Sequence, residues 1–98
     1  MDMPSEQVLE RMESLLKIAG DFTRLKILYA IMDGEKSVGE IQEEAGVSQS
    51  LASHQLKVLK EENLLSMRKD GTKVYYVLAD DHVRELLKVV YDHVQEAM

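Results

Sequence analysis

Val47-Ser48-Gln49-Ser50-Leu51-Ala52-Ser53-His54-Gln55-Leu56-Lys57-Val58-Leu59-Lys60 is the stretch whose reading decides the fold. Leu51, Ala52, Gln55, Leu56, Val58 and Leu59 fall at roughly helical spacing and predict a stripe turned toward a core. Gln49, Ser50, Ser53, His54 and Lys57 fall on the other side. Ser48 can accept a bond from a first-turn amide, so it reads as the N-cap. The helix thus offers short hydrogen-bonding groups at its start and lysines further along. A DNA-reading helix needs that order, with small groups for base edges and cations for phosphates. An amphipathic helix with a merely solvated polar face has the same pattern, so the flanking chain must decide.

Upstream, Ser37 to Ala45 predicts a short helix, with Ser37 and Glu40 at capping-box spacing. Gly46-Val47-Ser48 is a three-residue turn, and Gly46 suits the left-handed position after a helix. A short helix, a tight turn and the long helix follow one another, which is the helix-turn-helix plan. Downstream, the long helix is expected to stop near Asn63. Leu64 to Lys69 and Lys73 to Leu78 read as strands, joined by the hairpin signal Asp70-Gly71. The hairpin tip carries Arg68, Lys69 and Lys73, so it reads as a basic wing facing phosphates or the minor groove.

Outside this centre, Ser5 to Ile18 and Phe22 to Met32 read as helices, the second with Phe22, Leu25, Ile27, Leu28 and Ile31 inward. Asp33-Gly34-Glu35 is a turn, and Asp81 to about Ala97 is a last helix striped by Val83, Leu86, Leu87, Val90 and Val94. The expected order is α-α-α-α-β-β-α, a mostly helical winged helix-turn-helix over residues 1–98. Its N- and C-terminal helices are expected to serve dimerisation, since so short a chain buries only part of its surface alone.

The net charge of -6 argues at first against nucleic acid, but its distribution does not. Ser48 to Leu78 is net +2 and the remainder net -8, a locally basic face on an acidic body. Cysteine is absent, which excludes disulfides, thiolate metal sites and cysteine nucleophiles. No apolar run approaches the ~18–20 residues needed to cross a bilayer, so a soluble cytoplasmic protein is expected.

With these pieces in place the chain resembles the ArsR/SmtB family of winged-helix repressors. The resemblance rests on Gly20-Asp21-Phe22-Thr23-Arg24-Leu25-Lys26-Ile27-Leu28 and Ser37-Val38-Gly39-Glu40-Ile41. It continues through Gly46-Val47-Ser48-Gln49-Ser50, Ser53-His54-Gln55-Leu56-Lys57-Val58-Leu59, Gly71 and Val74-Tyr75-Tyr76-Val77-Leu78. It implies a homodimer that binds double-stranded operator DNA and leaves it when an inducer, often a metal, binds. By position it gives Gln49, Ser50, Ser53 and His54 the DNA-reading roles. Members that sense soft metals carry cysteines near the third helix, where this chain has Ser37 and Gly39.

The end of the chain holds Asp80, His82, His93 and Glu96. His82 and His93 are eleven residues apart, about three helical turns, and Glu96 shares their face, yet the two ends lie ~16 Å apart along the axis. One helix cannot close that distance around an ion, but two antiparallel copies can, giving two identical sites per dimer. Two imidazoles and two carboxylates suit tetrahedral Zn²⁺, with Co²⁺ as a substitute. The same residues also suit a solvated helix end with Asp80 or Asp81 as N-cap. The resemblance favours the ion, because Asp-x-His, ten residues, His-x-x-Glu matches the family's zinc-sensing branch at all four positions. An enzyme is not expected, since four protein ligands close the metal and no separate base is evident. Two other readings stay open: a repressor of this family with a non-metal inducer or protein-partner control, and a dimerisation module without DNA binding.

Overall fold

A computed structural model describes residues 1–98. The elements are α1 (Glu6–Ala19), α2 (Phe22–Ala30), β1 (Lys36–Ser37), α3 (Val38–Ala45), α4 (Gln49–Glu61), β2 (Leu65–Asp70), β3 (Lys73–Leu78) and α5 (Asp81–Ala97). The helices begin where the sequence supplies side-chain acceptors. Ser5, Asp21, Ser37, Ser48 and Asp80 each accept a backbone N–H three residues on. Ser37 and Glu40 form the full capping box. Gly46 ends α3 at φ +67°, where a Cβ would be strained, and this reverses the chain in the short space before Ser48.

The core is one cluster to which all five helices and the hairpin contribute. Ile27, Leu28, Ile31, Ile41, Leu56, Leu59, Leu64 and Leu65 are its fully buried large side chains. No polar or charged residue is buried. Polar bonds at the cluster's edge fix the helices relative to one another. Arg24 of α2 donates from Nε to the Ile18 carbonyl at 2.7 Å and from its terminal nitrogen to Gln55 Oε1 at 2.8 Å. Tyr29 donates its hydroxyl to the Leu87 carbonyl at 2.6 Å, and burial raises its pKa, which keeps that proton in place. Arg84 of α5 donates to the Met32 carbonyl at 3.1 Å.

Four expectations need correction. Leu51, expected on the inward stripe of α4, is 38% exposed, because it lies beside Ser50 on the first turn rather than over the core. The sheet has three strands in the order β1-β3-β2, not two, because Lys36 and Ser37 pair antiparallel with Tyr76 and Tyr75. The order is therefore α-α-β-α-α-β-β-α; a two-residue strand is too short to show a period. Phe22 does not face inward but is 75% exposed, with Lys26 over its ring at 5.2 Å. Nine residues separate it from buried Ile31, about two and a half turns, which puts the two on opposite sides. Gln55, counted with the apolar stripe, is turned inward as a hydrogen-bond acceptor rather than as a hydrophobe.

Candidate nucleic-acid interface and metal half-sites

α4 buries Ala52, Leu56 and Leu59, and that single face fixes what the opposite one presents. Gln49, Ser50, Ser53, His54 and Lys57 are all exposed, and Ser50, Ser53, His54 and Lys57 follow the i, i+3, i+4, i+7 rule of one helix face. Ser48 spends its hydroxyl as acceptor on Leu51 N–H at 3.2 Å and lies 3.4 Å from the Ser50 hydroxyl. At thirteen residues α4 is about 20 Å long, and its width suits the major groove.

The wing is β2 and β3 joined through Gly71 and Thr72, with Asp70 opposite Lys73 and Gly71 at φ +64°. Lys69 and Lys73 are exposed at its tip. Their places in the register put them on opposite faces of the hairpin. Arg68 is held differently. Its Nε and a terminal nitrogen donate to the two Glu35 carboxylate oxygens at 2.9 and 2.6 Å, and its guanidinium lies 5.0 Å from the Tyr75 ring centroid. The guanidinium lowers the Glu35 pKa by hydrogen bonding, and Glu35 raises that of Arg68 in return. Neither Glu35 nor Tyr75 stood out in the sequence, since Glu35 looked like a turn residue and Tyr75 a strand former.

α5 carries the expected ligands in two pairs. Asp80 is its N-cap, and Oδ1 accepts from Val83 N–H at 3.1 Å. His82 Nδ1 lies 3.7 Å from that oxygen, and both side chains are largely open to solvent. His93 and Glu96 are exposed near the other end, one helical turn apart. Within one chain no three ligand-type residues come together, so each end is at most a half-site. The donor set fits a divalent ion: the imidazoles are accessible and the second Asp80 oxygen makes no hydrogen bond. The Asp80–His82 pair lines a groove with Val8, Arg11 and Met12 of α1 and with Glu62 and Asn63 at the end of α4. Asn63 there is left-handed at φ +60°, and the carbonyls of Val58, Leu59 and Lys60 accept from Glu62, Leu64 and Asn63.

Two stripes of apolar side chains remain uncovered. Val8, Leu9, Met12 and Leu16 on α1 and Leu86, Val89, Val90 and Val94 on α5 are each between 36% and 64% exposed. No helix is long and apolar enough to cross a membrane.

Residues 21–66 match the model of the family described as bacterial regulatory protein, arsR family. The chain is 36% identical over 88 residues to the transcriptional repressor SmtB homolog of Synechocystis sp., covering 90% of this chain and 67% of that protein. It is 36% identical over 83 residues to the cadmium resistance transcriptional regulatory protein CadC homolog of Staphylococcus aureus, covering 84% and 69%. Among solved structures, the homodimeric winged helix-turn-helix DNA-binding domain of Mb0332 from Mycobacterium bovis superposes with a TM-score of 0.88 at 29% identity. That match covers 99% of this chain and 93% of the other.

Proposed function

The chain belongs to the arsR family of bacterial regulatory proteins, and from that membership we propose that it is a zinc-responsive repressor acting as a homodimer. Membership makes it a DNA-binding transcriptional regulator of winged helix-turn-helix form rather than an enzyme. Residues 1–98 act as one winged domain, with α1 and α5 as the dimerisation helices, in the cytoplasm where its DNA lies. The two open apolar stripes support this, because exposed apolar surface of that extent marks a contact with a partner.

The metal-free dimer sets two α4 helices into successive major grooves, ~34–36 Å apart. Ser48, Gln49, Ser50, Ser53 and His54 meet base edges and nearby phosphates, while Lys57, Lys69 and Lys73 meet phosphates further out. The observation that carries the metal reading is the division of α5 into two exposed ligand pairs with an apolar stripe between them. Two such helices packed antiparallel about a two-fold axis bring Asp80 and His82 against the partner's His93 and the partner's Glu96. These four side chains hold one Zn²⁺, and symmetry repeats the site. Zn²⁺ supplies a cross-link whose strength depends on how the two helices lie. The dimer shape it favours no longer matches the operator spacing. Such coupling is reciprocal, so DNA weakens the metal site by the same factor. The groove that Asp80 and His82 share with Glu62 and Asn63 supports a short route from the ion to the end of α4.

The test is fluorescence anisotropy of a labelled operator, selected from random duplexes with metal-free protein and then titrated with zinc and chelator. Release at one zinc per chain, reversed by chelator, is the expected result. Tight binding that ignores zinc keeps the regulator and removes this inducer.

A further inference from the structure

The sequence singles out Arg68 as one of three wing cations, but the structure binds it into a contact that crosses the whole sheet. Arg68 on β2 stands directly opposite Tyr75 on β3, and Tyr75 in turn stands opposite Ser37 on β1. From β2 the guanidinium lies over the Tyr75 ring and reaches Glu35, the residue just before β1, with both carboxylate oxygens engaged. Ser37 is also the N-cap of α3, and Lys36 beside it pairs with Glu44 of α3 at 2.6 Å. The contact therefore sits where the wing's sheet turns into the first helix of the helix-turn-helix.

We propose that Arg68 is a positioning residue rather than a phosphate contact: with Glu35 and Tyr75 it forms a clamp that fixes the wing's angle to α3 and α4. This rests on the DNA-binding reading above and revises the expected role of one residue in it. Glu35 occupies the Nε–Nη2 edge of the guanidinium and leaves Nη1 unpartnered, one planar face is taken by Tyr75, and the carboxylate balances the charge, so a phosphate would meet an already neutralised group. Lys69 and Lys73 enter no ion pair and stand nearer the tip, so they are the cations left for phosphates. The two roles predict opposite signs for Glu35. If Arg68 met phosphate, removing a neighbouring carboxylate would free its charge and tighten DNA binding. If Arg68 positions the wing, removing Glu35 lets the wing swing and weakens binding, although the protein has lost a negative charge. They also differ for Arg68→Lys, which keeps a cation for phosphate but cannot make a bidentate fork.

The experiment compares wild type, Glu35→Ala, Arg68→Ala, Arg68→Lys, the Glu35→Ala/Arg68→Ala double variant and Lys73→Ala. Anisotropy is read on a labelled selected duplex of roughly 30 base pairs, long enough for two half-sites, across a salt series. Amide hydrogen exchange of Leu65–Leu78 is measured on the free proteins. Glu35→Ala, Arg68→Ala and Arg68→Lys are each expected to weaken binding about threefold to fivefold, the scale of an exposed ion pair. The double variant should be no worse than either single one. The salt slope should stay at the wild-type value, whereas Lys73→Ala lowers it by about one. Hairpin exchange should rise in all the Glu35 and Arg68 variants. Tighter binding by Glu35→Ala, or a slope lowered by Arg68→Ala and restored by Arg68→Lys, overturns the clamp. Should wild type bind no duplex, the DNA reading falls, and hairpin exchange unchanged by Glu35→Ala would then overturn the clamp separately.

Discussion

Arg24 donates to Gln55 Oε1 at 2.8 Å, and this bond joins α2 to the flank of α4 next to its exposed polar face. Arg24 also holds the Ile18 carbonyl, so α1, α2 and α4 are fixed through one side chain. Arg24→Ala is expected to lower the unfolding free energy by about 1.5–3 kcal/mol, the range for a hydrogen-bonded charge. Gln55→Ala should cost less, because Arg24 keeps its backbone acceptor. Urea unfolding of both singles and the double measures this. Strict additivity would mean that the two residues do not act through each other.

The proposed function assigns DNA reading and metal sensing to residues on different elements, so single variants should separate them. His93→Ala is expected to abolish release by zinc and to leave metal-free operator affinity within about twofold, as for an exposed change away from the DNA-facing surface. Ser53→Ala should weaken operator binding by about 1 kcal/mol, a net hydrogen bond, and leave zinc affinity unchanged. Anisotropy and a competition assay with a zinc indicator read the two properties. A His93 variant that loses DNA and keeps its metal response would reverse the assignment.

The capping box of α3 makes an acid-sensitive contribution to stability. Backbone and then side-chain hydrogen bonding from Ser37 lowers the Glu40 pKa below its ordinary 4.5. A carboxylate whose pKa is lower folded than unfolded stabilises the fold above the unfolded value, and this is lost as pH falls through the folded one. The contribution is therefore complete at neutral pH and fades below about 4.5. Glu40→Gln should shift the urea midpoint down at pH 7 and flatten the loss of stability on acidification. Midpoints measured from pH 7 to pH 3 check it, and an acid limb parallel to wild type would count against the box. Glu35 adds to the same limb, because Arg68 lowers its pKa in the same direction.

Much of this fold is legible in the sequence because its deciding bonds are short in the chain. Ser48 to Leu51, Ser37 to Glu40 and Asp80 to Val83 each span three residues, so the cap and the helix it starts are written side by side. Residues three and four apart share a helix face, so the spacing of Ser50, Ser53, His54 and Lys57 by itself assigns them to one side of α4. The proposed metal ligands stand in the sequence only as a pattern along α5, because each pair would need the other end of a second helix.

Tertiary structure decided the rest. Glu35 and Arg68 are 33 residues apart, Arg24 and Gln55 are 31 apart, and Tyr29 and Leu87 are 58 apart. No local rule brings these partners together. Arg68 looked like a free cation because a lone arginine near a hairpin tip has no partner within its own turn. Only when Lys36 and Ser37 joined the far edge of the sheet did Glu35 come within its reach. Chain-local bonds cost little entropy to close, so the neighbouring residues suffice to specify them. Contacts across tens of residues carry a larger closure cost and depend on the core that holds the strands and helices in place.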